Sequence, residues 1–292
     1  MKIVEKVIPT PGNQYKPKVP FVATVLENRR LTTEGSVDDI RHILLNIEGS
    51  GIEYIEGQSL GVVAPGEREP GKNHRVRLYS IASARKGDKG DCTSVSLCVK
   101  RVIYTDEKGT EQRGVASNFI CDLNVGDQIQ LTGPTGRRFL LPSDGSVNLI
   151  MVAVGTGIAP FRSFIQHVYH ERGQWDGKIR LFYGAKTGME SLYMNEESND
   201  IGQYFTNSTF EAYQALSQGD EKAYVQDRIL EAKEELWQMV KGGNFSFYLC
   251  GMKALEHSVK EIFTSWAKAD GLDWEEMLKN YKEEGRWNIE VY

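Results

Sequence analysis

Cysteine is scarce in this 292-residue sequence, and the four present, Cys92, Cys98, Cys121 and Cys250, show no CxxC spacing. That excludes a disulfide scaffold, argues against a zinc or iron–sulfur site within the chain, and favours a reducing compartment. A run of about 18 apolar residues, enough to cross a bilayer as a helix, is also missing. The opening Met1-Lys2-Ile3-Val4-Glu5 lacks the apolar stretch of a secretory signal, so a soluble protein is expected. Nor is there an internal repeat, a low-complexity tract or a coiled-coil heptad. Net charge is only −5 but unevenly shared: residues 1–142 hold 20 basic against 17 acidic side chains, and 143–292 hold 15 against 23. The more basic half suits an acidic protein partner better than nucleic acid, although an untargeted solvated surface gives the same balance.

What is present divides in two. The length and 40% apolar content suit two packed domains. Up to 142, short apolar stretches between turn residues predict strands at 21–26, 40–47, 59–63, 76–82, 94–104 and 128–131, the pattern of an antiparallel β-barrel. Residues 65–74, rich in Gly, Pro and charge, read as a mobile loop. The break is expected after Pro142. Beyond it, strands at 147–154, 179–183, 209–216, 245–250 and 287–292 alternate with helical patterns, one at 161–172, which predicts an α/β domain with a parallel sheet. Leu255, Val259, Ile262, Phe263 and Trp266 recur at helical steps from Ala254 onward.

Several segments carry chemistry. Gly155-Thr156-Gly157-Ile158-Ala159-Pro160 follows an apolar strand and opens a helix, where glycines let the backbone approach a pyrophosphate. Pro160 stands where the usual fingerprint has its third glycine, and proline suits a first helical turn. Gly155, Tyr183-Gly184, Ser217, Cys250-Gly251 and 290–292 all fall near the C-terminal ends of predicted strands, the edge at which open α/β sheets bind ligands. The second strand ends Gly184-Ala185-Lys186, without an acid for a ribose 2′-hydroxyl, which leaves room for NADP. Earlier, Arg77 suits a phosphate, Tyr79 a flat ring, and Ser117 is placed to cap a short helix over 119–123. Taken singly, each has an ordinary structural reading as a packing, surface or capping residue.

Six blocks together are more specific. Arg77-Leu78-Tyr79-Ser80-Ile81-Ala82-Ser83, Leu97-Cys98-Val99-Lys100-Arg101, Gly114 to Asn118, Gly155 to Arg162, Cys250-Gly251 and the ending Trp287-Asn288-Ile289-Glu290-Val291-Tyr292 stand in one order. In that order the chain resembles the plant-type ferredoxin–NADP(+) reductases, over roughly residues 15–292. The resemblance implies an FAD-binding barrel (1–142), an NADP(H)-binding α/β domain (143–292), and electron exchange with ferredoxin, an acidic iron–sulfur protein. It implies that Arg77 contacts the FAD pyrophosphate, Tyr79 one isoalloxazine face, Ser80 the flavin N5 region and Tyr104 the adenine. Val115 and Ser117 would lie along the pyrophosphate and ribityl chain, with Cys98, Gly114 and Ala116 in the same cofactor-binding set. Tyr292 would cover the other flavin face until nicotinamide displaces it. Ser80, Cys250 and Glu290 would line the site of hydride transfer, Glu290 relaying a proton through Ser80. Gly155, Thr156 and Gly157 would follow the NADP pyrophosphate, with Lys100 assisting. Ser217, Lys222 and Tyr224 would form the 2′-phosphate and adenine pocket, and Gln226 and Gly251 belong to the same nucleotide site.

The chain departs from that pattern in places. Ser217-Gln218 stands where Ser-Arg is usual, the loop 217–224 is shorter, and Ala116 stands where cysteine is common. NADPH is therefore expected to be preferred over NADH, but less strongly than in the family. Lys16, Lys18, Arg75, Arg85, Lys86 and Lys89 are the expected ferredoxin-facing cations. A monomer is expected, in a plastid as a processed form or in a bacterial cytoplasm. The competing readings are an NADH-dependent flavin reductase serving another electron-transfer protein and a non-catalytic flavin-binding sensor.

Overall fold

The structure, a computed structural model, describes residues 12–205, 207–218 and 221–292. Residues 1–5, read above for a signal, and 219 and 220 of the 217–224 loop lie outside them. The chain forms two compact units: one up to Leu140 together with Ala159–His167, the other of Leu141–Ile158 and Val168–Tyr292.

Along the first unit run β1 (Phe21–Arg30), β2 (Ile40–Asn46), β3 (Ser59–Val63), β4 (Glu67–Glu69), β5 (Lys72–Asn73), β6 (Arg77–Ser80), β7 (Ser94–Lys100), β8 (Ile103–Thr105), β9 (Glu111–Arg113), α1 (Val115–Asp122) and β10 (Gln128–Thr135). Six of these strands form an antiparallel sheet in the order β6-β3-β10-β1-β2-β7, and a bridge from Ile81 to Leu97 joins its two edges into a barrel. Side chains alternate across each strand, so Val25, Ile43, Leu45, Leu60, Val62, Val95 and Leu97 fill one interior. Each contributes about 1.5–3 kcal/mol relative to exposure. The segment read as a mobile loop holds the hairpin β4–β5, whose residues are all exposed.

The strand expected at 94–104 is interrupted after Lys100. The Arg101 amide still donates to the facing Asp39 carbonyl at 2.8 Å and its guanidinium pairs with Asp39 and Asp122, and the chain then turns at Val102 into β8, which pairs with β9 instead. The helix expected at 161–172 is α2 (Ala159–Gln166), and its packing belongs to this unit. Phe161 and Phe164 lie 5.8 and 6.0 Å from the Phe139 ring, and buried Arg162 donates to the Ala82 carbonyl at 2.9 Å.

The second unit holds β11 (Asn148–Val154), β12 (Ile179–Ala185), β13 (Phe210–Leu216), α3 (Val225–Glu231), α4 (Lys233–Gly242), β14 (Phe245–Gly251), α5 (Lys253–Ala269), α6 (Trp274–Glu283) and β15 (Trp287–Val291). Its five strands are all parallel, in the order β13-β12-β11-β14-β15. Along β11, Ile150 and Val152 face the cluster built by α3 to α6, while Leu149, Met151 and Ala153 are equally buried. Burial on both faces explains why the strand reads as an unbroken apolar run. Trp237, Phe263, Trp266, Trp274 and Trp287 form the aromatic centre, with Trp287 stacked on Phe247 at 3.8 Å. Among the described residues, no helix is long and apolar enough to cross a membrane.

Candidate functional site

In the first unit, β6 and its neighbours present an uncovered polar and aromatic surface. Arg77 is exposed and makes no ion pair among the described residues. Tyr79 and Ser80 are half-buried, Ser80 directly opposite Ser59 on β3. Burial, the largest influence, pushes the Tyr79 phenol up to about 12, so it stays neutral. Tyr104 on β8 is 57% exposed and Val115 51%. Gly114, not Ser117, caps α1, and no side chain fills that cap. Ser117 sits in the first turn, where its hydroxyl donates to the Gly114 carbonyl and accepts from the Val102 amide, both at 3.2 Å. The expected capping role is thus corrected: the serine joins α1 to the segment before β8 and leaves the first-turn amides open. Ala116 and Cys98 are buried at 6% and 5%, and Lys100 pairs with Asp38 at 2.8 Å. An unpaired cation, an uncapped helix start, the half-buried Tyr79 ring and the exposed Tyr104 ring are the groups that a flavin dinucleotide requires, so the residues present fit FAD.

In the second unit the strand order reverses between β11 and β14, because the chain moves outward to β12 and β13 before crossing back. Ligands of such sheets bind at the C-terminal edge of that switch point. Gly155 there has φ of +56°, and its carbonyl accepts from the Tyr183 hydroxyl at 3.2 Å. A Cβ on Gly157 would lie 2.0 Å from the Cys250 carbonyl oxygen, so only glycine permits this approach. Glu290 is paired in register with Cys250, and the Tyr292 amide donates to the Gly251 carbonyl at 3.1 Å. The Tyr292 side chain, 68% exposed, reaches Thr156 Oγ1. Gly155, Thr156, Gly157, Cys250, Gly251, Glu290 and Tyr292 are thereby brought to one edge.

At the end of β13, Ser217 donates through its amide to the Ala185 carbonyl at 3.0 Å, and the Ala223 amide returns to the Leu216 carbonyl at 2.9 Å. This return holds Lys222 and Tyr224, both exposed, beside the strand end. Gln226 lies on α3 and lines a surface cleft with Leu230 and Trp266. Of the expected partner-facing cations, Lys16, Lys18, Arg75, Lys86 and Lys89 are exposed. Arg85 is not: its Nε lies 3.1 Å from each oxygen of buried Glu56 and its Nη2 2.5 Å from Oε2. Burial works to raise the Glu56 carboxyl, but Arg85 and His167 outweigh it and hold the group below the usual carboxylate range.

Sequence reasoning placed Tyr183 at a strand end but not the hydroxyl bond by which it steadies the glycine turn, and it missed a buried ionic cluster in the first unit. In that cluster Asp88 accepts from Arg162 Nη1 at 2.7 Å, and its other oxygen lies 3.0 Å from His42 Nε2 as an ion-pair contact. Burial pushes the Asp88 carboxyl up, yet Arg162 and His42 prevail and hold it well below the usual range. No local spacing signals either arrangement.

Residues 33–139 match the oxidoreductase FAD-binding domain family, and residues 151–261 match the oxidoreductase NAD-binding domain family. The chain is 42% identical over 287 residues to the chloroplastic leaf isozyme 1 of ferredoxin–NADP reductase from Oryza sativa subsp. indica, covering 96% of this chain and 79% of that protein. It is 38% identical over 290 residues to the ferredoxin–NADP reductase of Synechocystis sp., covering 97% and 70%. The solved ferredoxin–NADP+ reductase from Plasmodium falciparum superposes with a TM-score of 0.77 at 25% identity, covering 95% of this chain and 98% of that one. With both domain families in place and relatives of this identity along nearly its whole length, the chain belongs to the ferredoxin–NADP reductase family.

Proposed function

We propose that this protein exchanges electrons between NADP(H) and a ferredoxin, with FAD held by the barrel and NADP(H) by the parallel sheet. The observation that carries the reading is the convergence of the glycine turn 155–157, Cys250-Gly251 and Glu290 to Tyr292 at the switch-point edge. When bound, FAD supplies the conversion between a two-electron hydride and single electrons. The chain's own residues bind and orient. Arg77 pairs with the FAD pyrophosphate, Tyr79 packs on the ring system, Tyr104 on the adenine, and the open amides at Val115 to Ser117 receive phosphate oxygens. In the second unit, the turn at Gly155 to Gly157 takes the nucleotide pyrophosphate, while Ser217, Lys222 and Tyr224 take its adenosine end. Ser80 holds a hydroxyl proton on the flavin side. Glu290 relays a proton beside Cys250, and the Tyr292 ring screens the nicotinamide position from water.

For the partner, the exposed Lys16, Lys18, Arg75, Lys86 and Lys89 suit an acidic protein. For the compartment, chloroplastic relatives support a plastid and the cyanobacterial relative supports a bacterial cytoplasm. The reading is tested by recording the absorbance of the purified protein, then adding NADPH and a ferredoxin. A yellow protein bleached by NADPH and reoxidised by ferredoxin is expected; a colourless protein that takes up no FAD overturns it.

A further inference from the structure

The ribose 2′-phosphate that separates NADP(H) from NAD(H) carries two negative charges, and the pocket proposed for it is one cation short, because Gln218 follows Ser217. The structure brings in another. Beyond the ends of β12 and β13, the Ser217 amide donates to the Ala185 carbonyl at 3.0 Å and the Gln218 amide to the Lys186 carbonyl at 2.7 Å. These two consecutive bonds hold the Lys186 main chain against Ser217-Gln218. Neighbouring strands lie about 4.8 Å apart, a spacing that the four-carbon stem of lysine spans.

The surroundings support this placement. The capping box that follows fixes the backbone: Glu190 is buried and accepts from the Thr187 amide at 3.0 Å and from its hydroxyl. Arg228, the other cation near the end of β13, donates to the Gln214 carbonyl at 3.0 Å and to Glu231. It is committed away from Ser217. Lys222 is held at the strand end by the Ala223 to Leu216 bond.

We infer that Lys186, together with Lys222, binds the ribose 2′-phosphate and stands in for the arginine absent at Gln218; this rests on the NADP(H) reading above. The test compares wild type, Lys186→Gln, Lys186→Arg and Lys222→Gln in two measurements. One is the ratio of kcat/KM for NADPH over NADH, and the other is calorimetric affinity for 2′,5′-ADP against 5′-ADP. Losing one charge-assisted pair in Lys186→Gln should lower the ratio about tenfold and weaken 2′,5′-ADP by a similar factor, with 5′-ADP unaffected. Lys186→Arg should keep the preference. If wild type prefers NADPH and Lys186→Gln stays within twofold of it, Lys186 is rejected whatever Lys222→Gln does. If wild type itself favours NADH and binds both diphosphates alike, the NADP(H) reading fails and the inference with it.

Discussion

The Tyr292 hydroxyl lies 3.1 Å from Thr156 Oγ1 and donates to the Val154 carbonyl at 3.2 Å, which ties the residue after β15 to the turn after β11. A phenol has one proton to give, so geometry assigns donation to the carbonyl and acceptance from threonine. The turn that should receive a nucleotide is therefore already engaged by a side chain of its own unit.

Tyr292→Phe keeps the ring and deletes both bonds. Because the side chain is mostly exposed, their net worth is about 0.5 kcal/mol, or roughly a twofold gain in affinity for NADP+. Calorimetry on the folded protein measures it. Binding that is unchanged or weaker would mean the hydroxyl does not oppose the nucleotide.

Glu290→Gln keeps the shape and the register with Cys250 but removes the acid group. If the carboxylate moves a proton during turnover, the rate of reducing a one-electron acceptor should fall about tenfold or more, with bound FAD per chain unchanged. Equal rates in stopped-flow and steady-state assays would withdraw the proton role and leave Glu290 a strand residue.

How far the sequence foretells these features depends on their range. The run before Gly155 and the period of Leu255, Val259 and Phe263 are local, and the structure has β11 and α5 there. The six blocks are linear, which made a family likeness readable before any geometry. By contrast, Arg162 finds Asp88 74 positions away, and no spacing records that meeting. The approach of Gly157 to the Cys250 carbonyl likewise depends on the order of the strands, which a list of strands does not contain. Arg85 read as a surface cation because charge is visible in sequence and burial of its partner Glu56 is not.

That difference separates Arg85 from its neighbours. Arg85→Gln leaves buried Glu56 with His167 and the residue-85 amide as partners, and should cost about 3 kcal/mol, the low end for a broken buried pair because those partners remain and Arg85 keeps some solvent contact. Lys16→Gln and Lys18→Gln should stay within about 0.5 kcal/mol of wild type, yet weaken ferredoxin binding in a salt-dependent way. Urea denaturation and binding at two salt concentrations resolve the two classes. An Arg85→Gln protein of wild-type stability would show that His167 and the residue-85 amide suffice for Glu56.

Asp88 sets the sharpest expectation for pH. With Arg162 and His42 against it, its carboxyl titrates well below the usual range, whereas an unfolded aspartate titrates near 3.9. In acid the unfolded chain therefore binds the proton more readily than the native one, so stability rises with pH across that interval. The contribution is complete above about pH 5 and is lost as pH falls through the unfolded value toward the folded one. Asp88→Asn should lose about 3–5 kcal/mol at pH 7, because Arg162 remains buried without its counter-charge. The difference from wild type should narrow as the pH is lowered from 5 toward 3, read by urea denaturation at each pH. A difference that does not change over that interval would mean that the amide's altered hydrogen bonding, and not the lost charge, accounts for the destabilisation.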